Sequence, residues 1–134
     1  MHSVYKIDHL PKIAHAAQSL GIVQDILLEV NSGEEAKGGV DPSQAAAFLA
    51  AASDLAHVRV RGLMTMAPQG DATVARACFS RLRALRDELE GQGAAPLGSL
   101  AELSMGMSDD WREAIREGAT IIRVGRAVFS GDFV

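Results

Sequence analysis

The most constraining feature of this sequence is a regular alternation between strand-like and helix-like hydrophobic periods, joined by short loops. Ser3-Val4 reads as a short strand, and Asp8 opens a helix to Gly21 with Pro11 in its first turn. Residues 25–30 (Asp-Ile-Leu-Leu-Glu-Val) are too short and too apolar for a surface helix and read as a buried strand, ended by Asn31-Ser32-Gly33. Asp41-Pro42-Ser43-Gln44 combines an acidic cap, a proline at the first helical position and a glutamine three residues after the cap. The helix it starts carries Ala45, Phe48, Leu49 and Ala52 on one stripe. Val58 to Met66 is the next strand, with Gly62 inside it, and Pro68-Gln69-Gly70 is a turn. Asp71 to Glu90 is the longest helix, with Val74, Cys78, Leu82, Leu85 and Leu89 at helical spacing and Gly91 and Gly93 to stop it. Leu100 to Met105 is a strand. Ser108-Asp109-Asp110 caps a short helix through Trp111, Ala114 and Ile115 that ends at Gly118, Ala119 to Val124 is the last strand, and residues 125–131 make a final turn or helical piece.

Such an order predicts an α/β fold whose parallel strands are covered by helices through right-handed crossovers. A doubly wound open sheet and part of a (β/α)8 barrel both fit. Arg59, Arg61, Glu102 and Arg123 sit in or beside strands. Polar residues there suit a barrel interior near a ligand better than a sheet covered on both faces. A whole barrel needs about 200–250 residues, and residues 1–134, read as one domain, are roughly half of that.

Charge and cysteine content narrow the function classes. Against 17 Asp+Glu stand 13 Lys+Arg, a net charge of −4, with no basic run to neutralise a row of phosphates. Nucleic acid is therefore not expected as a partner. Neither is a membrane, since no apolar stretch spans a bilayer and no polybasic face is present. The first residues have no apolar core of a signal peptide, so a cytoplasmic protein is expected. One cysteine, Cys78, permits no intramolecular disulfide and reads as core packing on its helix. His2, His9, His15 and His57 show no metal-ligand spacing and read as ordinary residues. Neither glycine-rich nucleotide loop is present.

The C-terminal third carries the chemistry. Leu103-Ser-Met-Gly-Met-Ser-Asp-Asp110 ends one strand, and Ile122-Arg-Val-Gly-Arg126, whose Arg123 lies nineteen residues after Ser104, ends the next. Both put hydroxyls, small residues and backbone N–H groups at the carboxyl edge of parallel strands, where ligands bind in α/β folds and where barrels hold phosphate. N–H groups at a helix start point at an anion, and Gly125 lets the backbone come close. Taken alone, the motif equally allows Ser104 and Ser108 simply to satisfy a strand end and cap a helix.

Ser104-Met-Gly-Met-Ser-Asp-Asp110 and Ile122-Arg-Val-Gly-Arg-Ala-Val-Phe-Ser-Gly131 resemble the C-terminal signature of the pyridoxal phosphate homeostasis proteins, relatives of the alanine racemase barrel. His2-Ser3-Val4, residues 28–40 (Leu-Glu-Val-Asn-Ser-Gly-Glu-Glu-Ala-Lys-Gly-Gly-Val) and residues 61–66 (Arg-Gly-Leu-Met-Thr-Met) agree in the same order, so the resemblance covers essentially the whole chain. It implies the C-terminal portion, about the last five strands, of a (β/α)8 barrel that holds pyridoxal 5′-phosphate (PLP) without catalytic turnover. Ser104, Gly125 and Arg126 would surround the phosphate, Arg126 through its backbone N–H because the family often has a small hydroxyl residue there. Arg123 would face the pyridine nitrogen. Met105, Gly106, Met107 and Ser108 would line the site less directly. A structural alternative for Arg123 is an ion pair with Asp109 or Asp110.

The family's cofactor lysine, in an Ala-Val-Ser-Lys-like segment, has no counterpart here. Lys6, Lys12 and Lys37 are the lysines present, and none matches that position. The resemblance thus implies a phosphate cup without the covalent anchor. Open barrel edges and an uncovered inner face including Leu27, Met64 or Met66 predict self-association. PLP-dependent apoenzymes are candidate recipients of the cofactor. A racemase-like PLP enzyme and a binding module for another phosphorylated ligand remain the alternatives.

Overall fold

Three parallel strands in chain order form the centre of the fold: β1 (Gln24–Glu29), β2 (Val58–Met64) and β3 (Glu102–Ser104). The computed structural model describes residues 1–35 and 37–131. Ala36 of the 28–40 motif and residues 132–134 of the one-domain reading lie outside the described residues. Single parallel bridges extend the sheet at both edges, Val4 to Leu28 and Ser104 to Ile121. Sequential order with every pair parallel is the outcome of the crossover rule applied to each strand–helix–strand unit.

The crossovers are α1 (Leu10–Ser19), α2 (Ala45–Ser53) and α3 (Ala72–Gly91), followed by the short α4 (Trp111–Arg116) and α5 (Arg126–Ser130). Asp71 caps α3 by accepting from the Thr73 amide at 2.7 Å. Asp41 accepts from the Ser43 amide at 2.9 Å and starts a 3-10 turn that runs into α2. No side-chain bond from Asp8 caps α1; a 3-10 turn over Ile7–His9 leads into it instead.

Alternation along each strand separates two faces. Leu28, Leu63 and Leu103 are register neighbours, and they pack with Leu10, Phe48, Phe79 and Leu82 of the helices in one core. The row Glu29, Met64, Ser104 belongs to the opposite face. A register shift between Ile26 and Leu27 skips Arg61 and turns it toward that second face.

Two expectations are corrected here. Leu27 and Met64 are not uncovered: they are 5% and 3% exposed, and Met66 is half-buried. The N-terminal residues lie along β1, with the Leu27 amide donating to the Met1 carbonyl at 2.7 Å. Met1, His2, Arg61 and Ile121 gather around one recess with Leu27. The last strand also shrinks from residues 119–124 to the single bridge at Ile121. The Thr120 hydroxyl takes the Leu103 amide at 2.9 Å, a place where a ladder carbonyl would stand.

Candidate functional site

The site is built where β1, β2 and β3 end. The Thr65 hydroxyl donates to the Val30 carbonyl at 2.8 Å, and the Thr65 amide donates to the Ser104 carbonyl at 3.1 Å, so the three strand ends are tied in one row. The segment after β3 is tied to the segment after Ile121. Met105 donates its amide to the Ile121 carbonyl at 3.1 Å, and Arg123 donates its amide to the Gly106 carbonyl at 2.9 Å.

These bonds bring Arg123 over the row. Its Nη1 donates to the Ser104 Oγ at 2.6 Å and its Nη2 to the Thr65 carbonyl at 2.9 Å. Both acceptors are neutral, so the ion pair with Asp109 or Asp110 is not how Arg123 is held; Asp109 pairs with Arg126 at 2.8 Å instead. Burial lowers the Arg123 pKa, while Asp110 and Glu29 act to raise it. A guanidinium stays charged under such a shift and can only donate.

Two further ionisable groups belong to this face. His2 sits with its Nδ1 3.1 Å from the Ser104 Oγ. Its pKa is lowered by burial, then by the N-terminal charge and by Arg123. Glu29 is 4% exposed. Burial raises its pKa, against the Arg123 charge and a hydrogen bond from Ser3.

Beside Arg123 opens a cavity of about 340 Å³, lined by the turn at residues 67–70, the Met107–Asp110 turn with its two carboxylates, and Gly125 and Arg126. That is near the lower end of the range of about 300–1,000 Å³ for small-ligand sites. The Ser108 Oγ accepts from the Ala127 amide at 3.2 Å and so holds the first turn of α5 at the cavity edge. Ser108 does not cap α4, as its position suggests. At α4 the Asp110 carboxylate turns back to accept from the Met107 amide at 2.6 Å.

Of the residues the sequence singles out, Met107, Ser108, Arg123, Gly125 and Arg126 therefore meet at one cavity. Ser104 stands behind it, joined through the Arg123 side chain. Met105 is fully buried in the hydrophobic core. Gly106 has φ +97°, and a Cβ there would lie 2.6 Å from the Ala114 Cβ, so its part is to let the turn pass over α4. Thr65 and His2 were assigned no role from sequence. Both lie inside segments that carry the resemblance, which is the signal that could have found them.

Lys6 and Lys12 are exposed. Lys37 pairs with Glu34 and donates to the Ala67 carbonyl at 3.3 Å, beside the cavity rim. A larger recess of about 470 Å³ lies between the loop at residues 30–33 and α3. It is lined mainly by apolar groups and includes Cys78, whose thiol is buried and pushed up in pKa by that burial. A thiol held neutral is core packing, as its helical position indicates. Among the described residues no group of three or more His, Cys, Asp or Glu side chains could hold a metal ion. No helix among them is long and apolar enough to cross a membrane.

Comparisons with known proteins show the family. The family model for the alanine racemase N-terminal domain matches residues 1–132. A protein of Aquifex aeolicus named pyridoxal phosphate homeostasis protein is 42% identical over 131 residues, covering 96% of this chain and 56% of its own length. A protein of the same name from Schizosaccharomyces pombe is 33% identical, with 96% and 55% covered. The chain thus spans about half the length of the curated relatives it matches. Among solved structures, PipY of Synechococcus elongatus with PLP bound superimposes with a TM-score of 0.84 at 40% identity, over 96% of this chain and 59% of that one. Alanine racemase of Clostridium difficile superimposes with a TM-score of 0.69 at 19% identity, a likeness of fold alone.

Proposed function

The chain belongs to the alanine racemase N-terminal domain family, and from that premise we propose that it binds pyridoxal 5′-phosphate as a non-catalytic PLP homeostasis protein of the cytoplasm. Its parallel sheet is, in this reading, the C-terminal part of a (β/α)8 barrel. The observation that carries the proposal is the placement of Arg123. A donor-only cation, pinned by two neutral acceptors, borders a cavity that the Met107–Ser108 turn and the start of α5 also line.

The residues present fit the group. PLP is a planar heterocycle with a phosphate at one end, and it supplies an electron sink when its ring nitrogen is protonated. Gly125, the Arg126 backbone and Ser108 would take the phosphate, with Ser104 supporting Arg123 from behind. Arg123 would donate to the ring nitrogen. A guanidinium in that place disfavours a proton on the ring and leaves the heterocycle a weaker electron sink. This arrangement suits holding and delivering the cofactor better than transamination, and leaves racemisation to be tested. PLP-dependent apoenzymes are the recipients that such a role calls for.

Equilibrium dialysis with PLP tests the reading, run beside an alanine racemisation assay. Saturable binding that Arg123→Ala weakens, with racemisation at background, is the expected pair of results. Absence of binding up to millimolar PLP overturns the proposal. Racemisation above background overturns its non-catalytic part.

A further inference from the structure

We propose that His2 is a positioning residue for Arg123: its Nδ1 accepts the hydrogen bond donated by the Ser104 hydroxyl and thereby fixes the Ser104 oxygen as the acceptor that aims the guanidinium. The argument is one of hydrogen-bond direction. Ser104 is fully buried. Its Oγ meets Arg123 Nη1 at 2.6 Å and His2 Nδ1 at 3.1 Å. A guanidinium has no acceptor, so at the first contact the hydroxyl oxygen must accept. The hydroxyl proton is then left for the imidazole, and a buried O–H without an acceptor is costly. Nδ1 must therefore carry the lone pair, and neutral His2 is the Nε2–H tautomer. The chain of bonds runs in one direction, from Arg123 through Ser104 to His2.

Protonation of His2 reverses the last link. Two cations would then point at one hydroxyl oxygen, and the hydroxyl proton would lose its acceptor. The charged groups around His2 are its neighbour's N-terminal amine and Arg123, with Asp25, Arg61 and Glu102 in the same recess and Glu29 on the shared face. Burial, the amine and Arg123 act together to keep the imidazole neutral. The grip of Arg123 on a ligand is accordingly held above the range where His2 titrates and relaxed below it. That consequence rests on the PLP reading; the bond direction does not.

The experiment has two arms. In the first, long-range ¹H–¹⁵N correlation spectra of the ¹⁵N-labelled protein at neutral pH report the His2 tautomer without any ligand. An unprotonated Nδ1 and protonated Nε2 are expected, and the Nδ1–H tautomer overturns the proposal. In the second, PLP affinity is measured for His2→Phe, which fills space but cannot accept, and for His2→Gln, whose amide oxygen can. Loss of roughly one net hydrogen bond predicts binding about five- to tenfold weaker for His2→Phe, with most of the loss restored in His2→Gln. The ratio of wild-type to His2→Gln affinity cancels the ligand's own phosphate titration, and it should fall as pH drops through the His2 titration, which lies below the ordinary histidine range. His2→Phe that folds normally and binds PLP as tightly as the wild type overturns the proposal. A wild-type protein that binds no PLP defeats the ligand reading, and the tautomer then decides the His2 geometry alone.

Discussion

Arg123 donates to the Ser104 hydroxyl at 2.6 Å across nineteen residues of chain, and its second nitrogen reaches the Thr65 carbonyl at 2.9 Å. Two acceptors, one on β3 and one just past the end of β2, are satisfied by one planar fork, which an ammonium on a flexible stem cannot match. Arg123→Lys is therefore expected to leave at least one buried acceptor unpaired, at a cost of about 1–3 kcal/mol. It should also weaken PLP binding by at least about tenfold, since aiming is lost together with the second bond. Urea denaturation and a fluorescence titration read the two effects separately. Unchanged affinity in a folded Arg123→Lys protein would remove Arg123 from the site.

α4 is held to α3 by a buried carboxylate. Glu117 is 6% exposed, and it receives Arg76 at 2.8 Å and Arg83 at 3.3 Å, both from α3. Because the arginines are solvent-facing and share the load, either one can be removed at small cost. Glu117→Ala removes the common partner and is expected to cost about 1–2 kcal/mol, with α4 and the Met107–Asp110 turn loosened most. Amide exchange at residues 107–117 should accelerate more in Glu117→Ala than in Arg76→Ala. Equal effects would mean that the pair does not hold α4.

The alternation of periods, the acidic cap at Asp41 and the parallel order were readable in the sequence because each is a local or sequential property. The convergence of Arg123 and Gly125 on one cavity was readable through the C-terminal motifs. What was not readable are contacts made across the sheet. The His2–Ser104 contact joins residues 102 apart and has no spacing signal. Ser108 looks like a helix cap because the sequence shows only the helix that follows it, whereas the amide it accepts from belongs to α5. Residues 119–124 show the pattern of a strand, but one threonine hydroxyl substitutes for the backbone at Leu103.

Glu29 gives the stability a pH dependence whose sign can be worked out. Its folded pKa is raised above the ordinary carboxyl value by burial, so between the two values the folded state binds more protons than the unfolded state. Stability then falls as pH rises through that interval. Glu29→Gln keeps the shape and cannot ionise. Its melting temperature should match that of the wild type near pH 4 and exceed it increasingly as pH rises from about 4.5 through the folded pKa. A gap that stays constant between pH 4 and pH 7 would show that the Glu29 carboxylate is not penalised by burial.

Gly62 is the point where the sheet cannot carry a side chain. It pairs with Leu27 on one side and Glu102 on the other, directly after the register shift that skips Arg61. A Cβ at Gly62 would lie 1.8 Å from the Glu102 carbonyl oxygen. Backbone cannot move aside there without breaking the β2–β3 ladder, which delivers Ser104 to Arg123. Gly62→Ala is thus expected to cost about 3 kcal/mol or more, beyond the usual penalty for overpacking, and to lose PLP binding with it. Gly98 is the control: its φ is +78° and nothing lies within 4 Å of an added Cβ, so Gly98→Ala should cost only the left-handed strain of about 1–2 kcal/mol. Urea melts of the two variants beside the wild type settle the order. If Gly62→Ala proves no less stable than Gly98→Ala, the close approach of β2 to β3 is wrong, and with it the route by which Ser104 reaches the site.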